Sequence, residues 1–389
     1  MEFTWPLMEN NIDKNDLLEV IDYLSQDDPK LTHGPLVRKF EAAWSNWLGV
    51  KNSVFVNSGS SANDLSMKAL KILKGSGQII VPPLTWVSDI ASVLHENYEP
   101  IFVDINLHTL GMDTDLILDR LTKKTKGVFL THILGLNALT DELLNGLKQH
   151  QVPLIEDVCE SHGAFFRNSK LGTFGLMSNF SFYYAHHMTT IEGGMVSTND
   201  FEIYELLRSL RSHGLVREFE TQKLKESYIE KYSDLNKDFI FLYPSHNMRP
   251  TEIQAIIGIS QLKRLDKHIA TRKQNYEYFL SILDNEKYFT EFFVEGNSNY
   301  ALTLMLRKDQ GHMSNKVENK LIELKVEFRR GLSGGGNQLR QPYLQNIIKW
   351  DPKNFPNVEH VHFNSWYLGN YPSLSKNKIE EVVENLNKL

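Results

Sequence analysis

One cysteine, Cys159, stands in 389 residues. That excludes an internal disulfide, and it excludes a structural zinc or an iron–sulfur cluster built on several thiolates. Long apolar runs are also missing, since no stretch approaches the roughly 18 residues of a membrane helix. The opening Met1-Glu2-Phe3-Thr4-Trp5-Pro6 has no basic region followed by an apolar one, so no secretory signal is expected. Positive charge is not in excess. Lys+Arg 42 against Asp+Glu 48 leaves −6, which argues against a general nucleic-acid binder. An anionic ligand would then depend on local basic groups or helix N-termini. These absences predict a cytoplasmic protein that engages neither nucleic acid nor membrane. What remains, 41% hydrophobic and 23% charged residues, is ordinary globular composition. The length corresponds to about two or three domains.

Short β-rich runs alternate with helical patterns along the first half. Ser53–Val56, Gln78–Val81, Pro100–Asp104, Lys126–Leu134 and Val152–Val158 read as strands. Helices are predicted through about Leu73, from Trp86 to His95, from Asp113 to Leu121 and from Leu139 to His150. Runs such as Gly127-Val128-Phe129-Leu130 are apolar without alternation, as expected for strands covered on both faces. The pattern implies βαβ units and a mostly parallel sheet, with its ligand crevice along the strand ends. Past Asp200 longer helices are predicted, at Phe201–Ser212 and as one amphipathic helix over Pro250–Tyr278. Leu224–Asp238, rich in Lys, Glu, Tyr and Ser, reads as an exposed excursion. The C-terminal third, with helices near Ser314–Leu324 and from Ser375, reads as a smaller α/β domain.

Residues able to do chemistry follow the strands. Asn57-Ser58-Gly59-Ser60-Ser61-Ala62-Asn63 lies between a strand and a helix. Small residues there let backbone N–H groups and hydroxyls approach a phosphate, although a helix cap with turn residues explains them as well. Thr85-Trp86 could lay an aromatic face over a planar ligand, or Trp86 could be core. Glu156-Asp157-Val158-Cys159-Glu160-Ser161-His162-Gly163 puts carboxylates at a strand end, to serve a ring nitrogen or metal, or simply to start a helix. In Phe180–Gly194 a strand enters a polar loop with adjacent His186 and His187 and ends at Glu192-Gly193-Gly194. Neighbouring histidines on an extended segment point opposite ways, so one faces a given site and a metal pair is disfavoured. No metal site is expected. A pKa near neutrality makes one of the two an acid–base candidate.

In this order the motifs resemble the DegT/DnrJ/EryC1/StrS sugar aminotransferase family, fold-type I enzymes that use pyridoxal 5′-phosphate. The resemblance runs from Thr32-His33-Gly34-Pro35 to His246–Glu252 and Gln261-Leu262, and is looser beyond. It implies a large domain over residues 1–262, a mostly parallel mixed sheet sandwiched by helices. A smaller C-terminal α/β domain over residues 263–389 would complete the fold. One departure decides the expected activity. The family lysine that binds the cofactor covalently aligns with His186, and no lysine occurs between Lys170 and Lys223. Without that amine the Schiff base is lost, while an imidazole can still move protons.

Histidine for lysine resembles the branch of sugar 3-dehydratases acting through pyridoxamine 5′-phosphate, with GDP-4-keto-6-deoxy-D-mannose as the first-choice substrate. A CDP-sugar branch needs an iron–sulfur cluster that Cys159 alone cannot hold. The resemblance implies loss of the C3 hydroxyl from a nucleotide-linked 4-keto-6-deoxy sugar, with L-glutamate restoring the amine. That chemistry belongs to dideoxysugar synthesis for surface polysaccharide. Gly59, Ser60 and Ser181 would hold the phosphate, helped by Asn247 from the second subunit of a homodimer. Trp86 would stack on the ring, Asp157 would pair with its nitrogen, and Glu160 would lie near its 3′ oxygen. His186 would carry protons. His213, Arg217, Arg329 and Arg330 are substrate-contact candidates. Two alternatives stand beside this one: an aminotransferase using a lysine from elsewhere, and an inactive cofactor-binding regulator.

Overall fold

The computed structural model describes residues 3–389. Two helices come first, α1 (Lys14–Leu24) and α2 (Pro35–Leu48). At the start of α2, Glu252 accepts hydrogen bonds from the N–H groups of Gly34, Leu36 and Val37 at 2.9–3.0 Å. A carboxylate from far along the chain thus satisfies donors that a helix leaves free at its N-terminus. That contact joins the Thr32–Pro35 motif to Arg249–Glu252.

Strands and helices then alternate: β1 (Asn52–Val56), α3 (Gly59–Lys74), β2 (Gln78–Val81), α4 (Val87–His95) and β3 (Glu99–Phe102). They continue through α5 (Thr114–Asp119), β4 (Thr125–Thr131), α6 (Asp141–His150) and β5 (Leu154–Asp157). A hairpin of β6 (Phe165–Phe166) and β7 (Ser169–Lys170) precedes β8 (Met177–Ser181) and β9 (Gly194–Thr198). Seven strands form one sheet in the order β1-β9-β8-β5-β4-β2-β3. Only β9 runs antiparallel to its neighbours β1 and β8; the other pairings are parallel. The sheet is mixed and mostly parallel, as expected. β5 and β8 are buried at every residue, as expected for strands covered by helices on both faces. Strand order reverses between β2 and β4, so their ends and that of β5 open toward one crevice.

After α7 (Phe201–Arg211), α8 (Gln222–Lys231) has no buried residue, so the exposed excursion is correctly placed. The single helix expected over Pro250–Tyr278 is two, α9 (Glu252–Leu262) and α10 (Leu265–Ile282). Neither glycine nor proline marks the break. At the junction the Arg264 guanidinium donates to both Asp16 carboxylate oxygens and to the Asn11 carbonyl, and a tertiary ion pair overrides helix propensity. Beyond lie β10 (Ala301–Met305), α11 (Ser314–Glu323), β11 (Phe328–Arg330), α12 (Pro342–Gln345), α13 (Pro356–Asn364), β12 (Ser365–Gly369) and α14 (Lys376–Asn387). A second, antiparallel sheet has the order β10-β12-β11. Trp5 packs on it, donating its indole N–H to the Gly369 carbonyl at 2.9 Å. Among the described residues no helix is long and apolar enough to cross a membrane.

Candidate active site

At the head of α3, Ser58 caps the helix by accepting from the Ser61 N–H at 3.0 Å. Gly59 follows, and a Cβ there would lie 2.6 Å from the Ser181 Cβ. A side chain at Gly194 would likewise strike the Ser58 carbonyl at 2.2 Å. Close approach, not a turn, therefore requires both glycines. The result is a cradle of free N–H groups and hydroxyls, with Ser60 exposed on its rim and Ser181 buried at its floor. No acidic residue occupies the first turn of α3, so nothing in that turn would oppose an anion at the positive end of the helix. Trp86, at the N-cap position of α4, keeps 58% of its surface exposed. An indole that open offers its face to a planar ring, and the core alternative does not hold.

Glu156 and Asp157 end β5 and diverge. Glu156 accepts hydrogen bonds from the N–H groups of Gly172, Phe174 and Gly175 at 2.7–2.9 Å and is structural. Asp157 faces the crevice side, accepting from the Cys159 N–H at 2.8 Å and from Asn63 at 3.2 Å. Glu160 accepts from the Leu134 N–H at 3.1 Å and the Ser333 hydroxyl at 2.8 Å. Burial pushes its carboxyl up to about 7. Ser333 belongs to a glycine-rich loop whose Gly334 presses on the Thr85 carbonyl, where a Cβ would come within 2.0 Å. Glu160 thus ties the strand ends to that loop.

Sequence alternation misplaces the histidine pair. Residues 182–193 form turns, not a strand, and the His186 N–H closes one on the Tyr183 carbonyl at 3.0 Å. Both rings therefore face the same cluster. His186 and His187 lie 6.0 and 5.4 Å from the buried His162 ring, and 5.4 and 6.2 Å from Tyr300. His187 donates its Nε2–H to the Ser298 carbonyl at 3.1 Å, which fixes its tautomer. Half-buried His186 keeps its Nδ1 without a partner, as does His162 at both ring nitrogens. Burial and the nearby Arg272 guanidinium lower His186 to about 3, so its imidazole is neutral at physiological pH. Arg272, on α10, donates to the Tyr300 and Asn370 carbonyls. Lys170, the lysine before the gap, gives its ammonium to the Trp47 carbonyl at 2.6 Å.

The remaining candidates scatter. Asn247 is exposed, with its carboxamide oxygen accepting only from the Arg249 N–H at 3.1 Å. His213 adopts a left-handed φ of 64° beside it, its N–H donating to the His246 carbonyl. Arg217 is held in the excursion by the Asp238 carbonyl and the Phe239 ring, apart from the other groups. Arg329 and Arg330 are neighbours on β11 and diverge. Arg329 pairs in register with Tyr367, which senses Glu160, whereas Arg330 pairs with Glu318 and the Phe363 carbonyl on the other face. Only Arg329 shares the crevice side. Sequence reasoning missed Asn63, Asp89, His162, Arg272, Tyr300 and Tyr367. Asn63 and His162 sat inside motifs already singled out; nothing marked Arg272 within its helix.

A seven-stranded mixed sheet with a phosphate cradle, an aromatic platform and a carboxylate at its strand ends defines the fold-type I class of pyridoxal-phosphate proteins. The chain belongs to the DegT/DnrJ/EryC1/StrS aminotransferase family, whose model matches residues 10–387. It is similar to the GDP-4-keto-6-deoxy-D-mannose 3-dehydratase of Escherichia coli O55:H7, 32% identical over 352 residues, 89% of this chain and 90% of that one. A structure of such a dehydratase with a trapped PLP–glutamate geminal diamine superposes with a TM-score of 0.88 at 29% identity, covering 98% of this chain and all of that one. A histidine-to-asparagine variant with bound GDP-perosamine matches with a TM-score of 0.87 at 30% identity, over 98% of this chain and all of that one.

Proposed function

We propose that this chain is a pyridoxal/pyridoxamine 5′-phosphate-dependent nucleotide-sugar 3-dehydratase. It removes the C3 hydroxyl of a 4-keto-6-deoxy sugar, with GDP-4-keto-6-deoxy-D-mannose as the leading substrate and L-glutamate as the amino donor. The observation that carries this reading is His186: a neutral, half-buried imidazole with an unpartnered nitrogen, in a segment without any lysine. A lysine-based aminotransferase has no amine to use, because Lys170 is engaged at Trp47. An inactive binder does not account for a titratable group kept open beside an intact cradle.

The residues present fit the cofactor. The Gly59–Ser181 contact sets the N-terminus of α3 against Ser181, where a phosphate would meet backbone N–H groups, with Ser60 and Ser181 supplying hydroxyls. Trp86 would cover the ring face and Asp157 would accept from the ring nitrogen. Glu160, poised near neutrality, can hold or give a proton beside the ring oxygen. When bound, the pyridoxamine group supplies an amine to condense with the sugar ketone and a conjugated ring to take up electrons. His186, neutral at the outset, accepts a proton as general base; having gained it, the same ring returns it to the departing C3 hydroxyl as acid. Arg329 is the better placed of the two small-sheet arginines to meet substrate, and His213 remains a contact candidate beside Asn247. Asn247, exposed and only locally bonded, is assigned to the phosphate of a second subunit in a homodimer. The chain divides near residue 262, where the Lys263–Arg264 break supports a boundary, and a cytoplasmic location follows from its chemistry. Incubation with GDP-4-keto-6-deoxy-D-mannose, pyridoxal phosphate and glutamate should give a sugar one oxygen poorer, together with ammonia and 2-oxoglutarate. An aminated sugar would overturn the reading.

A further inference from the structure

Behind Asp157 lies a second carboxyl that the proposed chemistry leaves unused. Asp89 sits in the first turn of α4, where an acidic residue ordinarily faces solvent and the helix dipole. Here it is wholly buried. Its Oδ2 accepts from the hydroxyls of Thr85 and Thr131, the latter at 2.6 Å, and its Oδ1 accepts from the Asn63 amide at 2.7 Å. The same Asn63 nitrogen reaches Asp157 Oδ2 at 3.2 Å, so one amide nitrogen lies between the two carboxyls. All three donors to Asp89 are neutral. Two buried carboxylates that share a donor and lack a cation cannot both ionise, so one retains a proton.

We infer that Asp89 is a positioning residue that works as a neutral acid, donating its proton in a hydrogen bond to Asp157 and so fixing the carboxylate presented to the cofactor ring nitrogen. Burial and the charge of Asp157 both raise Asp89 far above the usual carboxylate range, which places the proton on Asp89. The other titratable groups facing it are Cys159, whose thiol burial raises, and Tyr343, raised by burial and by Asp89 itself. Neither supplies a positive charge. The inference rests on the reading that Asp157 meets the ring nitrogen.

The test is pyridoxamine phosphate binding to the full chain, read by affinity and by the pH titration of the bound cofactor's near-ultraviolet absorbance. Asp89→Asn keeps a neutral donor of the same shape and should match wild type in both. Asp89→Ala leaves Asp157 unsupported and should weaken binding by roughly ten- to a hundredfold and move the titration. Thr131→Val, a milder change that keeps the carboxyl, should move both readouts in the same direction by less. Asp89→Asn as impaired as Asp89→Ala would mean that Asp89 acts ionised, and would overturn the inference. So would an Asp89→Ala protein that melts at lower temperature yet binds and titrates as wild type. Asp157→Ala separates the underlying reading: unchanged binding there would remove Asp157 from the ring nitrogen, whatever Asp89 does.

Discussion

The two sides of the crevice are built on opposite terms. On the carboxylate side, Asp157, Asp89 and Glu160 have every oxygen engaged by a hydroxyl, an amide or a backbone N–H. On the imidazole side, His162, His186 and His187 all carry ring nitrogens with no partner, though buried. A saturated network holds position, whereas unsatisfied buried groups cost stability unless something completes them. Rigid carboxylates suit a cofactor that must sit in one place. Open imidazoles suit protons that must move.

Substitutions on the imidazole side should therefore cost turnover more than binding. His186→Asn keeps size and a hydrogen bond but cannot take a proton, and should lower the dehydration rate toward the upper end of about 10²–10⁴-fold. Pyridoxamine phosphate affinity, measured by equilibrium dialysis, should stay near wild type. Equal losses of rate and affinity would erase the contrast between the two sides. Next in size, Asn247→Ala should weaken cofactor binding roughly tenfold while leaving a folded protein. A strictly monomeric protein with full cofactor occupancy would remove Asn247 from its assigned place. Because His187 is buried and bonded to Ser298, His187→Asn should lose about 1–3 kcal/mol of stability, read as a lower urea midpoint. Should it abolish turnover while His186→Asn works, the proton carrier is the neighbouring ring.

The smallest effect is a pH dependence. His186 and His33 are both lowered to about 3, chiefly by burial, from the ordinary imidazole value of 6.5. Between those values the unfolded chain binds more protons than the folded one, so stability is full above about 6.5 and declines as pH falls toward 3. The raised carboxyls of Glu160 and Asp89 act in the opposite sense, so the readout is the difference between proteins: on going from pH 7.5 to 5 the urea midpoint of wild type should lose more, or gain less, than that of His186→Asn.

Legibility divides along the same line. Strand–helix alternation and the Gly59, Asp157 and Glu160 motifs are local, so the sheet and its carboxylate side can be read from neighbours in the chain. Rules of alternation fail for His186 and His187 because a single backbone turn at Tyr183 redirects both rings. Asp89 looks like any acid opening a helix, and only burial beneath Thr85 and Thr131 makes it unusual. Arg272 and Tyr300 reach the histidines from α10 and from the residue before β10, contacts of long sequence separation that no pattern encodes. Arg329 and Arg330 look equivalent until strand pleating sends them to opposite faces.

The central claim is that an imidazole in place of an amine makes this fold a dehydratase. Mass spectrometry of the sugar formed from GDP-4-keto-6-deoxy-D-mannose, with glutamate and pyridoxal phosphate, tests it most directly, run with wild type and His186→Asn side by side. The account predicts a 3-deoxy-4-keto product from wild type and at most traces of it from His186→Asn; a 4-amino sugar that retains its C3 oxygen, made equally by both proteins, would contradict it.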